Sequence, residues 1–149
     1  MDPVMTRRKS FAVLGVQIEV ERGSETPELF AGIWNRFESH GQEIESLSTG
    51  DYYYGVSFPT DKEDVTEYMA GMAVSDDAPV PKGLDKRTVS GGEFAVFECP
   101  LEEIGESYQH IFSVWLPSAR VAFDPTVPVF EEYPEKGSEN PVRIHVPVK

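Results

Sequence analysis

Two adjacent carboxylates, Glu131 and Glu132, lie inside the β-branched and aromatic stretch PTVPVFEEYPE, Pro125 to Glu135. Successive side chains of a strand point to opposite faces. If one face is buried, the two glutamates cannot both reach solvent. Val127, Val129, Glu131 and Tyr133 share one face; Pro128, Phe130 and Glu132 share the other. Both faces have apolar members, so periodicity leaves open which is interior. One reading is an edge strand with a solvated glutamate near its end, since charged residues are seldom fully buried. The other is a carboxylate kept from water, which costs on the order of several kcal/mol unless it is paired. Burial would also raise its pKa.

Other chemistry is sparse. His40, His110 and His145 lie far apart without metal-ligand spacing. VSGGEF lacks the Lys-Ser/Thr of a phosphate loop, and no Gly-x-Ser-x-Gly elbow occurs. No metal or cofactor is expected, and Cys99 reads as a small buried residue. Rings are more abundant. Tyr52 and Tyr54 share a strand face while Tyr53 points the other way, and each could line a site or simply cover the sheet. Phe30, Trp34, Phe37, Ile111 and Phe112 read as core, because a helix stripe packs on its sheet. Trp115 and Tyr108 are candidates for a cleft.

The 149 residues suit a single domain, residues 1–149, with a sizeable core. A net charge of −13, from 26 acids against 13 bases, opposes direct binding of DNA or RNA. It favours cations, either small ligands or a basic protein surface. A lone cysteine fits a reducing compartment. The run after Arg7, Arg8 and Lys9 is broken by Gln17 and Glu19, unlike a leader peptide. No stretch reaches the roughly 18 apolar residues of a membrane helix. A cytoplasmic protein is expected.

The elements that must position these groups can be read in order. SFAVLGVQIEV has the composition of a strand. In ETPELFAGIWNRFESHG, Thr26 is an N-cap, Pro27 suits the first helical position and Gly41 reads as the stop. YYYGVSF and TEYMAGMAV are strands. SDDAPVPKG reads as a linker, centred on 76–83. LDKRTV and EFAVFEC flank SGG as a hairpin. LEEIGESYQHIFSVWLP is a helix ended by Pro117, and TVPVFEEY and PVRIHVPV close the chain as strands. The pattern strand, helix, strand, strand thus occurs twice, over roughly 9–75 and 84–149. Such an α+β chain would pair two small sheets, each with one main helix, around a cleft.

The ordered series YYYGVSF, EYMAGMAV, GGEFAVFECP, YQHIFSVWLP and PVFEEYPE, from about Lys9 to Val148, resembles gyrase-inhibitor-like proteins of the AraC effector-binding superfamily. With so few residues before Lys9, the likeness is to the stand-alone members, without a DNA-binding domain. The resemblance implies tandem strand-helix-strand-strand repeats in a curved antiparallel sheet around a central cleft. It also implies binding of lipophilic organic cations there. It places Glu131 in the cleft as counter-charge, with Tyr54, Tyr68 and Phe30 beside it; Tyr133, Trp115 and Tyr108 are read from the sequence as further ligand candidates. A cation over an aromatic face would add about 0.5–2 kcal/mol. Delocalised cations, which lose less hydration than ammonium ions, would be favoured. Two rival functions come with the likeness: hydrolysis of cyclopropane-containing DNA-alkylating toxins, and inhibition of DNA gyrase through the acidic surface. No second catalytic group is evident, so an enzyme ranks below a receptor.

Overall fold

The β-branched run from Phe11 fixes an eleven-residue strand, and each aromatic or valine-rich run after it does the same. A computed structural model describes residues 2–149. Its elements are β1 (Val4–Arg8), β2 (Phe11–Glu21), α1 (Pro27–Ser39), α2 (Gly41–Leu47), β3 (Ser48–Pro59), β4 (Val65–Val74), β5 (Asp85–Val89) and β6 (Gly92–Cys99). There follow a 3-10 turn (Leu101–Glu103), α3 (Ile104–His110), a π-helical stretch (Ile111–Trp115), α4 (Leu116–Ser118), β7 (Val129–Tyr133) and β8 (Val142–Val148). No described helix is long and apolar enough to cross a membrane.

All eight strands form one antiparallel sheet in the order β1-β6-β8-β7-β3-β4-β2-β5. β3–β4 and β7–β8 are the hairpins of the two halves, and β3 pairs with β7 at the seam between them. The expected hairpin across SGG does not form. β5 pairs with β2 and β6 pairs with β1 instead. The partners step evenly from Val4↔Val96 to Arg8↔Gly92 and on from Phe11↔Val89 to Gly15↔Asp85. Two long strands, each bent once, therefore run side by side through both ends of the sheet. Gly91 sits at the bend because a Cβ there would lie 2.5 Å from the Arg8 carbonyl oxygen. Since β1 leads into β2 through two residues, the sheet must curl until its ends meet.

Curling covers both faces of the central strands such as β7, while the first four residues of β1 stay exposed. On the inner face Val13, Val56, Met69, Phe94 and Phe130 pack across the curl. On the outer face Leu14, Val16, Ala70 and Met72 lie under Ile33 and Phe37 of α1 and Ile44 of α2. Phe97, Ile144 and Val146 lie with Ile111 on the other half. Thr26 caps α1 as expected, its hydroxyl oxygen accepting from the Leu29 N–H at 3.1 Å. The helix stops as expected just before Gly41, at Ser39 with His40 as its C-cap, and Gly41 then begins the short α2. Pro117 lies in the last turn of the second helix, which stops one residue later at Ser118. The preceding turn widens to π geometry, so the missing proline N–H is absorbed without a break. The Ser118 hydroxyl then donates to the carbonyls of Val114 and Trp115 at 3.0 and 3.1 Å.

Candidate ligand-binding cleft

Both glutamates of VFEEY are buried, Glu131 at 6% and Glu132 at 7% exposure, because β7 lies at the seam of a sheet covered on both sides. Their surroundings differ. Glu132 points to the inner face, where its Oε2 accepts from Arg8 Nη1 at 3.0 Å and from the Tyr54 hydroxyl at 2.8 Å. Arg8 Nη2 also donates to the Tyr54 oxygen at 3.1 Å. The guanidinium carbon lies 4.6 Å from the Phe11 ring centroid and 5.4 Å from that of Phe130. Burial acts to raise the Glu132 carboxyl, but the Tyr54 hydrogen bond and the Arg8 charge outweigh it and hold it below the usual carboxylate range. His145 stacks on Phe130 with centroids 4.2 Å apart, and burial pushes its imidazole down to about 4. Its Nδ1 lies 3.3 Å from the Arg143 carbonyl, which can only accept. The proton is therefore assigned to Nδ1, leaving Nε2 to accept from Arg8 at 3.4 Å.

Glu131 faces the other way, toward the gap between α1 and α3. No described basic side chain pairs with it. Three hydroxyls do. Tyr133 and Tyr68 donate to Oε1 at 3.1 and 3.4 Å, and Tyr108 donates to Oε2 at 2.5 Å. Tyr68 is itself held by the Trp34 Nε1–H at 3.3 Å. Burial pushes the Glu131 carboxyl up to about 7, against the three hydroxyls that act to lower it. Burial and the nearby Glu131 charge raise the phenols of Tyr68, Tyr108 and Tyr133, so they remain donors at neutral pH.

These groups form the floor of a cavity of about 640 Å³. Phe30, Trp34 and Phe37 of α1 form one wall, with Leu101, Ile104 and Tyr108 opposite. The rings meet edge to face, Phe30 on Tyr68 at 5.0 Å and Trp34 on Tyr133 at 5.5 Å between centroids. At the rim Lys136 Nζ lies 3.5 Å from Glu38 Oε1, an exposed pair. The structure thus brings Glu131, Tyr68, Phe30, Tyr133 and Tyr108 together. It does not bring Tyr54 or Trp115 to the cavity. Tyr54 lies on the inner face with Glu132, and Trp115 packs edge-on against Phe97 at 5.0 Å. Tyr53, with the opposite parity to Tyr54, takes the place expected of its neighbour. Trp34 and Phe37, read as core, pack on the core and line the cavity at once.

Gly55 explains why the floor can be this tight. It is the cross-strand partner of Glu131, and a Cβ there would sit 2.2 Å from the Tyr68 hydroxyl and 2.9 Å from Glu131 Oε1. Gly55→Ala is expected to push the Tyr68 hydroxyl off the carboxylate and to cost about 1–3 kcal/mol by overpacking. A thermal melt reads the loss; an unchanged melting temperature would mean that the floor relaxes freely.

Over residues 5–148 the sequence matches the family described as Cass2, integron-associated effector binding protein. The chain belongs to the Cass2 family. The structure of SAV2435 bound to tetraphenylphosphonium is similar to this Cass2-family chain, with TM-score 0.79 at 20% identity, covering 100% of this chain and 94% of that one. An integron cassette protein from the mobile metagenome of Vibrio cholerae is also similar, with TM-score 0.68 at 16% identity, covering 99% and 96%. At these identities the likeness is one of fold: the curved α+β sheet. The transcriptional regulator BrlR of Pseudomonas aeruginosa is 26% identical over 152 residues, 97% of this chain and 54% of the regulator. The Cass2-family chain therefore spans about half the length of that curated relative.

Proposed function

We propose that the cleft is a receptor site for lipophilic organic cations, with Glu131 as counter-charge and Phe30, Trp34, Tyr68, Tyr108 and Tyr133 as its aromatic surround. One observation carries this reading. Of two adjacent buried carboxylates, Glu132 has an internal guanidinium and Glu131 has none. A desolvated carboxylate with no cation of its own gains most from a cation brought by a ligand. Aromatic rings line the cavity, where a cation over a ring face is attracted to it, and the cavity is large enough for a drug-sized guest. The tetraphenylphosphonium held by SAV2435 is a ligand of this chemistry in a protein of this fold.

The test is a titration with tetraphenylphosphonium, whose charge does not change with pH. Only the ionised carboxylate attracts it, and burial pushes the carboxyl up to about 7. Affinity is expected to rise about tenfold between pH 6 and 8 and to level off above that range. Glu131→Gln should remove the pH dependence. A wild-type affinity that stays flat across this range would overturn the role of Glu131.

A further inference from the structure

Counting acceptor sites on Glu131 narrows the class of cation. A carboxylate offers about four lone-pair sites, two on each oxygen. Both sites on Oε1 are taken, by Tyr133 at 3.1 Å and Tyr68 at 3.4 Å, and one on Oε2 is taken by Tyr108. Oε1 also rests against Gly55, where even one added carbon would be too close. The walls near the carboxylate are rings and aliphatic side chains, the Glu38 carboxylate at the rim is paired with Lys136, and the Tyr68 oxygen is already an acceptor for Trp34. A primary ammonium brings three N–H donors. At most one finds a free carboxylate site; the others must settle for the remaining lone pairs of neutral phenols, weaker acceptors than a carboxylate, or go unpaired against hydrocarbon. A quaternary ammonium or phosphonium brings none.

Resting on the receptor reading above, we infer that the tyrosine hydroxyls make the cleft selective for cations without N–H donors, by occupying the carboxylate before the ligand arrives. Tyr68, Tyr108 and Tyr133 are then specificity-determining residues as well as ring contacts. The carboxylate acts as a fixed, diffuse charge rather than as a hydrogen-bond partner. Leaving a buried donor unpaired weakens binding about tenfold or more.

The experiment compares two ligands with the same aromatic group, naphthylmethyl-trimethylammonium and naphthylmethyl-ammonium, at pH 7.5. Each is titrated into the wild type and into Tyr133→Phe, which keeps the ring and vacates one Oε1 site. Protonation of Glu131 affects both ligands alike and cancels in their ratio, as does the added area of the methyl groups between the two proteins. The wild type is expected to prefer the trimethylammonium at least tenfold. Tyr133→Phe is expected to shrink that preference at least threefold by improving the primary ammonium. Two binding ligands with an unchanged ratio in Tyr133→Phe would overturn the selectivity while leaving the receptor reading intact. If neither these ligands nor tetraphenylphosphonium binds the wild type, the receptor reading fails.

Discussion

Glu131→Gln is expected to weaken tetraphenylphosphonium binding about a hundredfold at pH 8 and, at the same pH, to make the unliganded protein more stable. A unit charge about 5 Å from a carboxylate gains roughly 3 kcal/mol at an effective dielectric constant near 20, or about two orders of magnitude in affinity. The stability gain follows from the same desolvation. Raising the carboxyl from its ordinary 4.5 to about 7 means that the folded protein holds a proton that the unfolded chain has released between those values. Stability from this group is therefore fully present below about 4.5 and is lost as pH rises to 7, by on the order of 3 kcal/mol. The amide avoids that loss. It offsets part of the gain, because its nitrogen cannot accept from a phenol and one hydroxyl must turn to accept instead. A net gain of about 1–2 kcal/mol at pH 8, shrinking to nothing near pH 5, is the expected outcome. Melting curves at both pH values check it. A variant less stable than wild type at pH 8 would show that the carboxylate is comfortable without a ligand.

The opposition between function and stability at Glu131 was half legible in the sequence. Alternation placed Glu131 and Glu132 on opposite faces, as they are. It could not say that both faces are covered, because that depends on the sheet curling through partners some ninety positions apart, such as Val4 and Val96. The same non-local pairing defeated the hairpin expected at SGG. Ser90–Gly91 has the composition of a turn, yet the glycine serves a close backbone approach to Arg8. Tyr54 and Tyr53 show how parity alone misleads. Both belong to one aromatic run, and only the register opposite β7 puts Tyr53 toward the cavity and Tyr54 beside Glu132. Trp115, a cleft candidate in the sequence, lies in the π turn before Pro117 with its ring packed edge-on against Phe97. By contrast, α1 was readable down to its cap, since capping is local chemistry.

Arg8 is the strongest consequence of the inner face. β1 is an edge strand whose first four residues are exposed, and among the described residues it pairs with β6 alone. Its last side chain nevertheless supplies the cation for a carboxylate that is 7% exposed. Arg8→Leu leaves Glu132 buried with the Tyr54 hydroxyl and with Arg143, whose Nη1 lies 3.8 Å from Oε1. Losing one member of a buried pair costs about 3 kcal/mol, which for a chain of this size lowers the melting temperature by roughly 6–12 °C. Adding Glu132→Gln should recover most of that loss, because a neutral amide needs no counter-charge. The pH dependence runs opposite to that at Glu131. A carboxyl held below its ordinary value contributes stability above about 4.5 and loses it as pH falls through its folded value. The gap between wild type and Arg8→Leu should therefore narrow in acid. Because Arg8 and Glu131 lie on opposite faces of β7, tetraphenylphosphonium affinity in Arg8→Leu should stay within about threefold of wild type while the protein is folded. A large loss of affinity would mean that the inner ion pair holds the cleft in shape, and that the two carboxylates answer to one network rather than two.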